Sequence, residues 1–365
     1  MRRIIFILFL SLFILSAGLT QNTINDIVIP PSTSMFMIGE VHLDNVQQGK
    51  TAEETAYINK ILATEHIYRK NLVDSFQVNH FVMESAVSLE YFFNKYVQTG
   101  NEMWIDLFNN NEYQQGKLRS IAELNKQSKN IRVSCIDYNL KKYYVNAIQS
   151  LFCITFYEPF AKQFEAAAKL NNEMVIYDNP ELAQKLLDTS AYFQNELMPF
   201  FQLIIDWYKT HPEEVANELF NIFKVMQQND NTQHLLEKYY GDLYPYFARL
   251  SIAYVEGYNG NTDLMKGLYE REQSMFWLLQ ALDLLYPYDR FCLQMGAAHV
   301  LPNTDFDVIR QKIEKELKQQ PFCFYIIPEH KIDFFSTYFI NLKTANTNLF
   351  PWQQFSVNEA GVIVK

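Results

Sequence analysis

The chain has 365 residues, 48% of them apolar, enough to bury a sizeable core in one large domain or a domain with an insertion, and too apolar for a disordered chain. Its 41 acidic residues outnumber 31 basic ones for a formal charge of −10, and no basic stripe offsets them, which argues against nucleic acid or an anionic membrane as partner. At the start, Met1-Arg2-Arg3 precedes an apolar run from Ile4 to Leu15 and the small residues Ser16, Ala17 and Gly18. That is the pattern of a secretory signal peptide, set here at residues 1–20, and the run is short for a permanent anchor. Export to the periplasm or the extracellular space is the expectation, with no stable membrane anchor after cleavage. Without Arg2 and Arg3 the balance is 29 basic against 41 acidic residues, a formal charge of −12. Cys135, Cys153, Cys292 and Cys323 permit disulfides in an exported chain. Three of the four lie inside apolar strand-like runs, so packing is favoured over bridging.

Beyond Pro30-Pro31, the run Met35 to Ile38 stops at Gly39-Glu40-Val41-His42, and a helical pattern follows soon after. This predicts a buried parallel strand feeding a loop. In open α/β sheets ligands sit at the carboxyl ends of such strands, so Glu40 and His42 are delivered to that rim. Alone, the pair reads equally well as a helix cap and a surface histidine. Thr51-Ala52-Glu53-Glu54 has capping-box spacing, and Ile58, Ile61, Leu62, Ile67 and Leu72 carry a helix to about Val73. His66 within it has no partner on its face and reads as structural or surface-bound. His80 to Met83 predicts a second strand ending in Glu84, Val87 to Gly100 a helix stopped by glycine, and Lys117 to Ser128 another helix. Ile131 to Ile136 is a third strand, closed by Asp137, so three strands in succession finish with an acid.

From about Lys141 to Tyr288 long aromatic-rich helical patterns replace this alternation, punctuated by Asn179-Pro180, His211-Pro212 and Tyr244-Pro245. The economical reading is an all-helical insertion, 141–260, in an α/β core formed by 21–140 and 261–365. Its aromatics, Trp207 and Tyr254 among them, read as core packing. A helix from Leu264 to Leu285, containing Arg271, leads into a strand, Arg290 to Met295, that breaks at Gly296-Ala297-Ala298 and presents His299. A helix from Asp305 to Lys318 and a strand from Phe322 to Ile327 complete the alternation, and the tail adds an edge strand or hairpin. The fold class is α/β, a mostly parallel sheet flanked by helices, with a large helical insertion.

Glu40, His42, Glu84, Asp137 and His299 each follow a predicted parallel strand, and in a twisted parallel sheet such positions converge on one crevice. Two chemistries fit. An imidazole oriented by a carboxylate acts as general base toward water, or the same cluster holds a divalent metal. Arg271 would steady a carboxylate or a developing oxyanion. There is no Gly-x-Ser-x-Gly elbow and no cysteine at a strand end, so no nucleophilic side chain is expected.

Gly39-Glu40-Val41-His42, then Met83-Glu84 followed by Asn94-Lys95-Tyr96-Val97-Gln98-Thr99-Gly100, then Arg271-Glu272-x-x-Met275 with Trp277, then Gly296-Ala297-Ala298-His299-Val300 occur in the order seen in the erythromycin esterase family, which the chain resembles over most of its length in outline. That family belongs to a superfamily with haem-scavenging bacterial lipoproteins and metal-dependent proteases. The resemblance implies His42 as general base, Glu40 and Glu84 as its orienting acids, His299 as second histidine and Arg271 lining the cleft. Esterases of the family place two residues between the first Glu and His; here Val41 alone separates them, closer to the haem-scavenging relatives. The implied activity is hydrolysis of an ester, lactone or related acyl group on a small-molecule substrate, with no cofactor required. A metal-dependent peptidase built on the same cluster, and a protein binding haem or another planar ligand through His42 or His299, are the alternatives.

Overall fold

The computed structural model describes residues 33–40, 52–106, 112–127, 130–137, 144–159, 203, 206, 207, 210–259, 268–300, 307–328, 352–357 and 363–364. The expected signal peptide and His42 lie outside these residues. In chain order the elements are β1 (Met35–Glu40), α1 (Ala52–Phe76), β2 (His80–Ala86), α2 (Glu90–Thr99), α3 (Met103–Asp106), α4 (Glu112–Asn125), β3 (Arg132–Asp137) and α5 (Tyr144–Phe152). They continue with α6 (Pro212–Gln227), α7 (Asp230–Tyr240), α8 (Tyr244–Asn259), α9 (Leu268–Leu285), β4 (Phe291–Gly296), α10 (Ile309–Lys312), β5 (Phe322–Pro328), β6 (Trp352–Val357) and β7 (Ile363–Val364).

The strands form one sheet in the order β3-β2-β4-β1-β5-β6-β7, parallel except where β7 turns back along β6. The protein is therefore an α/β fold with a mostly parallel sheet. Among the described residues between β3 and β4 no strand occurs, in keeping with a helical insertion. Every residue of β1 and of β4 is buried, as expected of central strands covered on both faces. Each large apolar side chain sequestered there, such as Phe36, Ile38 or Leu293, contributes about 1.5–3 kcal/mol.

Register separates the two faces. Phe36, Ile38 and Glu40 pair with Cys292, Gln294 and Gly296, and helices α1 and α4 cover that side, because Arg69 reaches Gln294 and Lys117 reaches Glu40. His80 and Val82 pair with Arg132 and Ser134 on the opposite face, where Arg271 of α9 reaches Glu84. Between the pairs Met83↔Cys135 and Ala86↔Asp137 the strand β2 carries one residue more than β3. This bulge falls at Glu84 and Ser85, where it re-aims the side chains beside the rim.

Several boundaries differ from the sequence expectation. Glu40, Glu84 and Asp137 lie inside their strands rather than after them, and α4 begins at Glu112, ahead of Lys117. Gly100 ends α2 as expected: at φ 68° its N–H donates to Tyr96 O at 2.7 Å, a left-handed cap that favours glycine. The β3 edge is closed by side chains. The Asn94 amide accepts from Val133 N at 3.0 Å and donates to Val133 O, Glu90 Oε2 accepts from Cys135 N at 2.8 Å, and Arg249 Nη2 donates to Cys135 O at 2.5 Å. An edge satisfied in this way has no open ladder at these positions to offer another chain. All four cysteines are free; Cys135, Cys292 and Cys323 are buried, and burial pushes the Cys323 thiol up to about 11.

Candidate functional site

At the carboxyl rim the bulge in β2 presents Glu84 toward β4 and α9. Glu84 Oε2 accepts from Gly296 N at 2.7 Å, while Oε1 accepts from Arg271 Nη2 at 2.5 Å and from His299 Nε2 at 3.1 Å. The Arg271 fork also holds the last residue of β3, with Nε on Asp137 Oδ1 at 3.0 Å and Nη2 on Asp137 Oδ2 at 2.9 Å. Beyond Gly296 a single 3-10 turn, Ala297–Val300, folds His299 back into the interior against α9. There His299 Nδ1 bonds to Glu272 Oε1, and Glu272 Oε2 accepts from Ile309 N at 2.7 Å, at the start of α10. Consecutive helical residues point about 100° apart, so neighbouring Arg271 and Glu272 reach Glu84 and His299 from one turn of α9.

Carboxylate oxygens only accept, so an imidazole with a carboxylate at each nitrogen carries a proton on both. Burial by itself would lower the His299 pKa, but the Glu84 charge and the hydrogen bonds that the ring donates to Glu272 and Glu84 outweigh it and push it up to about 10. His299 is thus a cation at neutral pH, an acid and not a base. For Arg271 burial is likewise outweighed, by Asp137 first and then Glu84, and its pKa is raised. The network opens to solvent at one end: the side chains of Arg271 and Asp137 are 19% and 24% exposed, whereas those of His299 and Glu272 are 6% and 1% exposed.

Glu40 ends β1 directly opposite Gly296, so it and Glu84 flank the last residue of β4. Its carboxylate belongs to a second network, on the α1 and α4 face. Glu40 Oε1 pairs with Lys117 Nζ and Oε2 accepts from Tyr113 OH at 3.2 Å. Tyr113 also bonds Glu65, which pairs with Arg69 at 2.5 Å, and Arg69 continues to Ser120 at 3.0 Å and Gln294 at 3.3 Å. Burial raises the Glu65 pKa and lifts that of Tyr113 well above the usual phenol range. His66 bonds to Ser120 at 2.9 Å, a structural contact.

Of the residues expected at the site, Glu84, Asp137, Arg271 and His299 share one hydrogen-bonded network. Glu40 stands at the same rim in a different network, and His42 lies outside the described residues. Sequence reasoning gave no role to Glu272, to the Gly296 amide or to Lys117. Glu272 did carry a signal, since it follows Arg271 within a motif that had already been singled out. Among the described residues no group of three or more His, Cys, Asp and Glu is placed to hold a metal ion.

No protein-family model matches the chain, and no curated protein matches it. Among solved structures, a protein from Bacillus cereus is similar at 12% identity and TM-score 0.47, covering 81% of this chain and 66% of that one. A succinoglycan biosynthesis protein is similar at 12% identity and TM-score 0.43, with coverage of 81% and 66%. An erythromycin esterase mutant in its open conformation is similar at 8% identity and TM-score 0.41, with coverage of 81% and 70%. The chain spans about two thirds of the length of these proteins, and the likeness is one of distant fold.

Proposed function

We propose that the chain is an exported hydrolase that adds water to an ester, lactone or related acyl group of a small-molecule substrate. The observation that carries this reading is the convergence of a buried imidazolium and a guanidinium on one oxygen, Glu84 Oε1, at 3.1 and 2.5 Å, on a strand-end rim open to solvent. Preorganised cationic donors at such a place stabilise negative charge as it develops on a carbonyl oxygen. Arg271 Nη1 has no acceptor among the described residues, and the part-exposed guanidinium can turn it toward a substrate oxygen. The resemblance of the four motifs to erythromycin esterases supports the same chemistry, and the Met1 to Gly18 pattern supports export.

Because His299 is already protonated, the base has to be another group, and His42 takes that task. In the proposed reaction His42 accepts a proton from water as the water oxygen bonds to the acyl carbon, and the carbonyl oxygen gains negative charge facing Arg271, whose guanidinium Glu84 and Asp137 hold in place while Glu40 stays paired with Lys117 and Tyr113. Collapse restores the carbonyl, breaks the bond to the leaving oxygen and returns the proton from His42 to that oxygen. Glu84 holds the two cationic groups in register. The test is hydrolysis of a panel of aryl esters and lactones by the full chain and by His42→Ala. Wild type should turn over at least one of them, and the variant should be slower by about 10²–10⁴-fold. Equal rates would end the role of His42, and no turnover by wild type across the panel would end the hydrolytic reading.

A further inference from the structure

The hydrolytic reading leaves Glu272 without a task, although it is among the most buried charged side chains of the rim. We propose that Glu272 is a positioning residue that pins the Nδ1 side of His299, so that the imidazole stays doubly protonated and directs its Nε2 proton at Glu84, the carboxylate that also holds Arg271. The proposal deepens the hydrolytic reading and rests on it only where turnover is measured.

Burying charge is costly. A carboxylate sequestered with a single backbone amide for company is expensive unless a cation faces it. Among the described residues Glu272 Oε2 has that amide, from Ile309 at 2.7 Å, and Oε1 has the His299 ring. Rotating the carboxylate away from the ring would also strand the Ile309 amide. Among the described residues the ring in turn has acceptors only: Glu272 on one nitrogen and Glu84, at 3.1 Å, on the other. Each partner makes the charge on the other tolerable. Among the described residues the charged groups around the ring are Glu84 from β2, Arg271 and Glu272 from α9, and Asp137 from β3 acting through Arg271. Arg310, from α10, bonds to Val300 O at 3.0 Å, and Glu40, from β1, is turned to Lys117. Glu272 is the one among them that bonds Nδ1. Since Arg271 is its neighbour on the same helix, one stretch of backbone sets the pose of both cationic groups.

The test is nitrogen NMR of the full chain with labelled histidine, the His299 signal being assigned by its loss in His299→Gln. In wild type both ring nitrogens should remain protonated from about pH 6 to about pH 9, and in Glu272→Gln the midpoint should fall by about two pH units. Glu272→Asp, which keeps the charge on a shorter arm, should keep most of the wild-type titration. In hydrolysis, Glu272→Gln should lower kcat by about 100-fold with KM within about twofold, and the alkaline limb of its pH profile should move with the NMR midpoint. A His299 that is neutral in wild type at about pH 7.5, or that titrates alike in wild type and Glu272→Gln, would overturn the proposal. Should Glu272→Gln fail to fold, the wild-type and Glu272→Asp titrations decide it. The NMR result needs no substrate, so a chain that hydrolyses nothing would remove the hydrolytic reading and leave this one to be judged separately.

Discussion

Two buried histidines mark opposite ends of the sheet. His80 opens β2 at the amino rim, with Nδ1 on Asp289 Oδ2 at 3.0 Å and Nε2 on Ser134 Oγ at 2.8 Å. His299 follows β4 at the carboxyl rim, with a carboxylate at each nitrogen. Both are almost wholly withdrawn from water, and both have two hydrogen bonds. Burial wins at His80 and lowers its pKa in spite of Asp289, whereas at His299 the two carboxylates win and raise it to about 10. The difference is one partner. A serine hydroxyl can give its proton to a bare ring nitrogen, so His80 can stay neutral; a carboxylate can only accept, so His299 cannot. Asp289 is also shared, with Asn79 Nδ2 at 2.8 Å and Arg132 Nε at 3.4 Å, which weakens its claim on His80.

The most severe way to break this contrast is Glu84→Ala. It removes one acceptor each from Arg271 and His299 and the acceptor of the Gly296 amide together, and breaking these buried pairs at once should cost about 3–5 kcal/mol in denaturant unfolding. A loss below about 1 kcal/mol would mean that the network does not act as a unit.

The two histidines should also give stability opposite dependences on pH. His299 has a folded pKa above the ordinary value of about 6.5, so its stabilisation is fully present below that pH and is lost as pH rises toward about 10. His80 has a lowered folded pKa, so the unfolded chain takes up a proton that the folded one refuses, and stability falls as pH drops below about 6.5. Each slope is at most about 1.4 kcal/mol per pH unit. His299→Gln should flatten the alkaline limb and His80→Gln the acid one; limbs unchanged in the variants would contradict the assignment.

A smaller change sharpens the contrast at its source. Ser134→Ala, which deprives His80 Nε2 of its donor, should cost about 1–2 kcal/mol. Ser134→Asp would give His80 a carboxylate at each nitrogen, and its titration, followed by NMR, should then move above about 6.5. A His80 titration that stays below that value in Ser134→Asp would show that partner type does not set the difference. The smallest effect is expected from Asp137→Asn. Asp137 is part-exposed and Arg271 retains Glu84, so the stability change should stay below about 1 kcal/mol.

Much of the rim could be read from the chain itself. Apolar runs ending in Glu40, Glu84 and Asp137, and the break at Gly296-Ala297-Ala298 before His299, announced parallel strands with ionisable side chains at their carboxyl ends. Gly100 announced a helix stop. What could not be read was which face each acid takes. Glu40 shares parity with Phe36 and Ile38 and so falls to α1 and α4, while Glu84 stands at a bulge that nothing in His80 to Ala86 signals. Nor could partner choice be read, since Lys117 meets Glu40 from 77 positions away and Glu272 meets His299 from 27.

The sequence by itself determined the class of fold and brought Glu40, Glu84, Asp137 and His299 to strand ends, because burial patterns of strands and helices repeat every two or about 3.6 residues and are written locally. Only the tertiary structure decided which acids share a network and which histidine carries a charge. Those outcomes depend on desolvation and on pairing between groups far apart along the chain, and both exist only once the chain has folded.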